Sequence, residues 1–306
     1  MIPRQDVLDT AIAPADWLPH GFSDRLPIER VESTMADLET SSQAIGDFVT
    51  IVRRGRIAEV TFDRGDQLNA LSMQLMRELK AAAEELSGDT HCSAVVLAGA
   101  AVFTAGADLR DSELSERDSM TLLEQRAAVR LGPDLCDAWA KLEQISIAAV
   151  EGFCIGGGLA LAAACDHRIA ASDAHFRLPE IPLGMNMSWR SIPRLVALIG
   201  PSRAKELVIL GQKVDSDKAL NWGLIDQIAE PSHALEAARQ MAETYAELPP
   251  LVARMAKEAI DVAAHPLGHA TSFMDRDQFL LARQSNDHEE AVRSFLEKRD
   301  AQYRGD

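Results

Sequence analysis

The sequence predicts an α/β fold that ends in a helical C-terminal region. Three observations carry this. Short runs of β-branched and apolar residues alternate with stretches of helical apolar period over the first two thirds of the chain. Two glycine-rich turns, Ala105-Gly106-Ala107-Asp108 and Gly156-Gly157-Gly158, each follow a short apolar strand and open a helix. From Pro201 onward the pattern is almost entirely helical. The alternation suits stacked ββα turns as well as one flat sheet, and it shows no regular sequence repeat.

Residues 1–46 form the least readable stretch. Pro3, Pro14, Pro19 and Pro27 punctuate it, and its apolar residues keep no period, so it reads as an N-terminal extension. The core begins near Asp47. Phe48 to Val52 is a β-rich run, Arg54-Gly55-Arg56 a turn, and Ile57 to Phe62 the returning strand. Ser72 caps a helix with Leu75, Met76, Leu79, Ala83 and Leu86 near helical spacing, and Gly88 ends it. Val95 to Ala98 and Ile147 to Val150 are continuous apolar runs, as in strands buried on both faces. Between them residues 117–143 read as one long helix, kinked or split at Gly132-Pro133. Ile169 to Ala171 and Phe176 to Leu178 are further short strands. Pro201 stands at a helix start, where its missing N–H costs nothing. Residues 47–245 therefore form the core and 246–306 a C-terminal helical region. These last amphipathic helices are too few to cover their own apolar faces, so they pack on the core or on another subunit.

Bulk properties exclude several classes. The net charge of −16 repels phosphate backbones, so nucleic acid is not an expected partner. No apolar run of about 18 residues is present, so no membrane span is expected. The start of the chain, with Asp6, Asp9, Asp16 and Asp24, resembles neither a secretory signal nor a transit peptide. Cys92, Cys136, Cys154 and Cys165 lie among apolar residues without CxxC spacing, which reads as buried free thiols in a cytoplasmic protein. The eight histidines show no metal-binding spacing, so no metal is expected.

The glycine turns hold the chemistry. Small residues at 105–107 let the main chain approach a ligand, and Asp108 is placed to cap the following helix. Three consecutive glycines before an Ala/Leu helix cost backbone entropy, which a ligand touching the main chain would explain. The helix N-terminus adds partial positive charge for a developing anion. Together the turns read as two halves of an oxyanion hole built from N–H groups, on an enzyme that stabilises an enolate. The spacing is not GxGxxG, so it does not read as a dinucleotide site.

With these turns the chain resembles the crotonase superfamily, the enoyl-CoA hydratase/isomerase family. The matching stretches are Leu68-Asn69-Ala70-Leu71, Val95 to Arg110, Gly152 to Asp166, and Leu178-Pro179-Glu180-Ile181-Pro182-Leu183-Gly184. Leu210-Gly211, Gly223-Leu224-Ile225 and Phe295-Leu296-Glu297-Lys298-Arg299 follow. The resemblance implies a spiral of ββα turns with a C-terminal helical region that drives trimer formation, often as a dimer of trimers. It implies an acyl-CoA substrate and no further cofactor. The N–H groups of Ala107 and Gly157 would hold the thioester oxygen. Leu68, Ala105, Asp108 and Arg110 would cradle coenzyme A, with Phe295 and Lys298 from a neighbouring subunit. Gly65-Asp66 stands where the family often has Pro and Lys.

The resemblance also frames the acid/base question. Family hydratases use two glutamates. Here the first position is Ala160 and the second is Glu180. One carboxylate suffices to carry a proton between two carbons, which favours isomerisation of a 3-enoyl-CoA to a 2-enoyl-CoA. The alternatives are hydration of a 2-enoyl-CoA, or an acyl-CoA-binding protein without catalysis. The apolar neighbours of Glu180 are expected to raise its pKa. Met185 and Trp189 stand where the family is glycine-rich and serve as acyl-pocket wall or plain core. Asn186, Ser188 and Arg190 could meet a polar acyl group, and Glu113 and Glu116 are weaker candidates for a second carboxylate. RNA binding through a basic helix is discounted, because Arg77 and Lys80 face Glu78, Glu84 and Glu85.

Overall fold

A computed structural model describes residues 40–306. Most of the segment read as an N-terminal extension therefore lies outside the described residues. Strand β1 (Thr40–Ile45) falls within that segment and pairs antiparallel with β2 (Val49–Arg54). The sheet thus starts before Asp47. Its mixed polar sequence, TSSQAI, hides it from a hydrophobic-pattern search, because it is an edge strand and mostly exposed.

A two-residue loop returns β2 into β3 (Ile57–Phe62). Helix α1 (Met73–Ser87) follows, with Ser72 Oγ accepting the Leu75 N–H at 3.1 Å and Gly88 at its end. Strand β4 (Ala94–Gly99) leads to the first glycine turn. The long helix expected over 117–143, kinked or split at Gly132-Pro133, is instead α2 (Ser112–Glu116), a 3-10 turn at Arg117–Ser119, α3 (Leu122–Ala128) and α4 (Leu131–Ala140). The break precedes Gly132-Pro133, and Pro133 sits in the first turn of α4, where its ring is tolerated. Thr121 starts α3 with a reciprocal capping box to Glu124, a local signal strong enough to restart the helix there.

Strand β5 (Ile145–Val150) and β6 (Phe153–Ile155) approach the second glycine turn, which opens α5 (Gly157–Ala162). Then come β7 (His167–Ala171), β8 (His175–Arg177), a 3-10 turn at Ile181–Leu183, and α6 (Ser191–Leu210), broken at Gly200 so that Pro201 begins its second half. The remainder is β9 (Val214–Asp215), α7 (Ser216–Trp222), β10 (Gln227–Ala229), α8 (Ala234–Ala246), α9 (Pro250–Ala264), α10 (Gly268–Ser272), α11 (Asp275–Arg283) and α12 (Asn286–Glu297).

Two sheets result. The larger has the order β1-β2-β3-β4-β5-β7-β10, parallel from β3 onward. The smaller is β6-β8-β9. The β4 and β5 runs are apolar throughout because both faces are covered. On one side α8 lays Ala234, Ala238 and Ala242 against Val96, Ile147 and Ile169. On the other, α1, α4 and α5 share the main core with Val95, Leu97 and Ala148. α9 is anchored by Lys257, whose buried Nζ donates to Asp166 Oδ2 at 2.6 Å and to the Gln144 carbonyl at 2.8 Å.

Candidate active site

Parallel pairing of β4 with β5 places the ends of both strands side by side. That is why two glycine turns some fifty residues apart meet. A bridge between Thr104 and Cys154 joins their approaches. A Cβ added to Gly106 would stand 2.6 Å from the Ile155 carbonyl oxygen and 3.6 Å from Gly156 Cα. Gly106 has φ +90° and Gly156 φ +56°, so both positions favour glycine on conformation as well as space.

The two expected N–H donors are unspent by the main chain. Leu71 pairs across Ala107 by donating to the Gly106 carbonyl at 2.8 Å and accepting from Asp108 N–H at 3.0 Å. In a parallel bridge this leaves the N–H of the middle residue, Ala107, pointing the other way. Ala107 is exposed. Gly157 is the first residue of α5, one of the positions whose N–H has no partner within a helix.

Glu180 meets the second turn. Its Oε1 would lie 2.8 Å from a Cβ on Gly156. Its Oε2 is buried without a hydrogen-bond partner. Burial pushes its pKa up to about 7, as its apolar neighbours led us to expect. The carboxylate is carried on a tight 3-10 turn that ends at Gly184, where Met185 N–H returns to the Glu180 carbonyl at 2.8 Å. α12 and the tail that follows it brace this turn. His288 Nδ1 lies 3.0 Å from the Leu183 carbonyl, and the Tyr303 hydroxyl donates to the Pro182 carbonyl at 3.1 Å.

Leu68, Ala105, Asp108 and Arg110 gather along the first turn. Ala105 N–H donates to the Leu68 carbonyl at 2.9 Å, and Leu68 and Arg110 are exposed. Asp108 does not cap the following helix. Its Oδ1 accepts Arg110 N–H, its Oδ2 binds Arg64 at 2.7 Å, and that pairing holds its pKa low against the opposing effect of burial. Asp111 does the capping, taking the Glu113 N–H at 2.9 Å. Phe295 and Lys298 stand exposed at the end of α12, and no hydrogen bond or ion pair ties either one to the glycine turns.

Other candidates are engaged elsewhere. Glu113 forms a two-pronged pair with Arg77, and Glu116 is exposed. Arg190 is bound to Asp137, and Asn186 to Gln278 at 3.1 Å. Asp66 is a turn residue, accepting the Leu68 N–H at 2.9 Å. Asn69, within the Leu68-Asn69-Ala70-Leu71 motif, organises the first turn. At φ +46° its buried amide donates to the carbonyls of Phe62, Val102 and Phe103. A small polar residue that tolerates a left-handed backbone was the one available signal. Among the described residues no three His, Cys, Asp or Glu side chains gather as a metal site.

The family model for enoyl-CoA hydratase/isomerase matches residues 53–306. The chain belongs to this family, the crotonase superfamily. A short-chain-enoyl-CoA hydratase of Clostridium acetobutylicum is 34% identical over 254 residues, covering 82% of this chain and 95% of its own. The 2,3-dehydroadipyl-CoA hydratase of Escherichia coli is 34% identical over 264 residues, covering 83% and 98%. Among solved structures, an enoyl-CoA hydratase from Bacillus anthracis superposes with a TM-score of 0.64 at 30% identity, covering 87% of this chain and 99% of its own. The crotonase-type α/β fold and the enzymatic character of the family follow for this chain.

Proposed function

We propose that this crotonase-family enzyme converts a 3-enoyl-CoA to a 2-enoyl-CoA with Glu180 as its single acid/base. One observation carries the reading. Glu180 brings the carboxylate that meets the paired glycine turns, while position 160 is alanine. The ionised Glu180 takes a proton from C2 of the thioester. The C2–H electrons move into a dienolate whose oxygen accepts hydrogen bonds from the Ala107 and Gly157 N–H groups. The dienolate then takes the proton back from Glu180 at C4, which leaves the 2,3 double bond. A pKa of about 7 suits a group that must accept and then return a proton. The chemistry needs no cofactor beyond the coenzyme A of the substrate.

The named relatives favour a second reading, water addition to a 2-enoyl-CoA. Product analysis in deuterated water separates the two. Wild type and Glu180→Gln receive a 3-enoyl-CoA and a 2-enoyl-CoA. Conversion of the 3-enoyl to the 2-enoyl compound that is lost in Glu180→Gln supports isomerisation, and the fraction of product carrying deuterium reads how far the transferred proton exchanges with solvent. A mass gain of one water on the 2-enoyl-CoA shows a hydratase. Tight acyl-CoA binding without turnover shows a binding protein.

Leu68, Ala105, Asp108 and Arg110 border the first turn and are assigned to coenzyme A, with Phe295 and Lys298 contributed by a neighbouring copy. A homotrimer or dimer of trimers is supported by the bare apolar residues of α9, including Leu251, Val252, Met255, Ile260 and Val262. Mass measurement in solution should show it, and Met255→Glu should dissociate it. A cytoplasmic site is supported by four cysteines buried as free thiols. No described helix is long and apolar enough to cross a membrane.

A further inference from the structure

The most strained stretch beside the site is Trp189-Arg190. Both residues hold left-handed backbone, at φ +61° and +54°. Bulky residues are held this way only when their surroundings impose it. Three elements impose it here. Asp275 of α11 accepts the Arg190 N–H at 2.7 Å. Asp137 of α4 binds the Arg190 guanidinium and, at 3.2 Å, Arg194. Arg194 in turn donates to the Trp189 carbonyl at 3.4 Å.

The clamp aims the indole at the start of α5. A Cβ on Gly157 would stand 2.5 Å from the six-membered edge of the ring. A Cβ on Gly132 would stand 2.1 Å from its other edge. The ring is therefore wedged between two bare backbones, one of which supplies a proposed N–H donor. Helical side chains lean back over the preceding turn, so a side chain at position 160 reaches over residues 156 and 157. The Glu180 carboxylate lies against Gly156 and the Trp189 ring against Gly157. A long side chain from position 160 and the ring are therefore directed at the same stretch, the start of α5.

We propose that Trp189 is a specificity-determining residue, whose indole fills the volume that a second carboxylate and its water would need and so restricts the site to one-carboxylate proton transfer. This rests on the single-carboxylate reading of Glu180. It also means that the small Ala160 and the large Trp189 are a matched pair. Restoring a glutamate at 160 alone will not build a two-carboxylate site.

The test is a double-mutant cycle on the full chain, with wild type, Ala160→Glu, Trp189→Ala and the double variant. Each is melted, and each is given a 2-enoyl-CoA and a 3-enoyl-CoA. Ala160→Glu is expected to lower the melting temperature in the wild-type background and clearly less when the ring is absent. Water addition should rise roughly tenfold in the double variant over either single one. Trp189→Phe, with a smaller flat ring, should keep most of the block. Melting effects that simply add, with no gain of hydration in the double variant, overturn the proposal. So does full hydration activity in Ala160→Glu alone. The melting cycle needs no turnover, so it still decides the matter if Glu180→Gln shows that the single-carboxylate reading has failed.

Discussion

Glu180 is a carboxylate with one oxygen sealed from water and unpartnered. Desolvation disfavours its charged form, so its pKa rises from 4.5 to about 7. In the proposed reaction the ionised form is the base, so turnover should climb about tenfold per pH unit below that value and level off above it. Glu180→Gln should lose about a hundredfold or more in kcat, measured under saturating substrate. Stability carries the opposite sign. Between pH 4.5 and about 7 the folded chain keeps a proton that the unfolded chain has released. The Glu180 contribution is therefore largest at the acid end and falls by about 3 kcal/mol as pH rises through that window. Denaturant midpoints for wild type and Glu180→Gln should diverge across that range, and parallel curves would contradict the burial argument. Gly106→Ala tests the turn itself. The added methyl meets the Ile155 carbonyl at 2.6 Å in a backbone of φ +90°, and neither can yield cheaply. A loss of about 2 kcal/mol or more, with loss of turnover, is expected by thermal unfolding and assay.

At the level of elements, the C-terminal helices are tied to the core by polar anchors rather than by a broad apolar face. α9 buries little besides Lys257, which is paired with Asp166 beneath it. Asp166 also accepts the Ser146 N–H at 2.7 Å, so the pair pins α9 to the start of β5. Lys257→Ala leaves that carboxylate without its cation and should cost about 3 kcal/mol. Hydrogen exchange should show α9 loosening while α1 stays protected. α12 and the tail that follows it are held differently, by His288 and Tyr303 on the turn that bears Glu180. Tyr303→Phe removes one of these bonds, and its effect should appear in kcat more than in the melting temperature. Equal rates for Tyr303→Phe and wild type would show that the turn stands without that brace.

Across the whole molecule, the parallel sheet brings distant segments to one edge, and the apolar surface left on the C-terminal helices calls for neighbours. Size measurement as a function of concentration should find a larger species, and Met255→Glu should shift it toward the monomer. The buried strands, the Ser72-capped helix and both glycine turns were readable from local pattern, whereas Glu180 came from the family resemblance. Each of the first three is announced by residues close together in the chain: continuous apolar runs, a capping serine, three glycines. Strand β1 escaped because an exposed edge strand has no apolar signature. That the stretch 117–143 breaks before Gly132-Pro133, where the split was expected, was missed because neither apolar period nor the Gly-Pro pair registers a capping box at Thr121. Three features came only from packing: Asp111 in place of Asp108 as the cap, Asn69 as the organiser of the first turn, and Trp189 lying across Gly157. Their roles depend on which side chains the parallel strand order brings together. Residues such as Gly132, Gly157 and Trp189 are neighbours in space, and nothing in their local spacing records it.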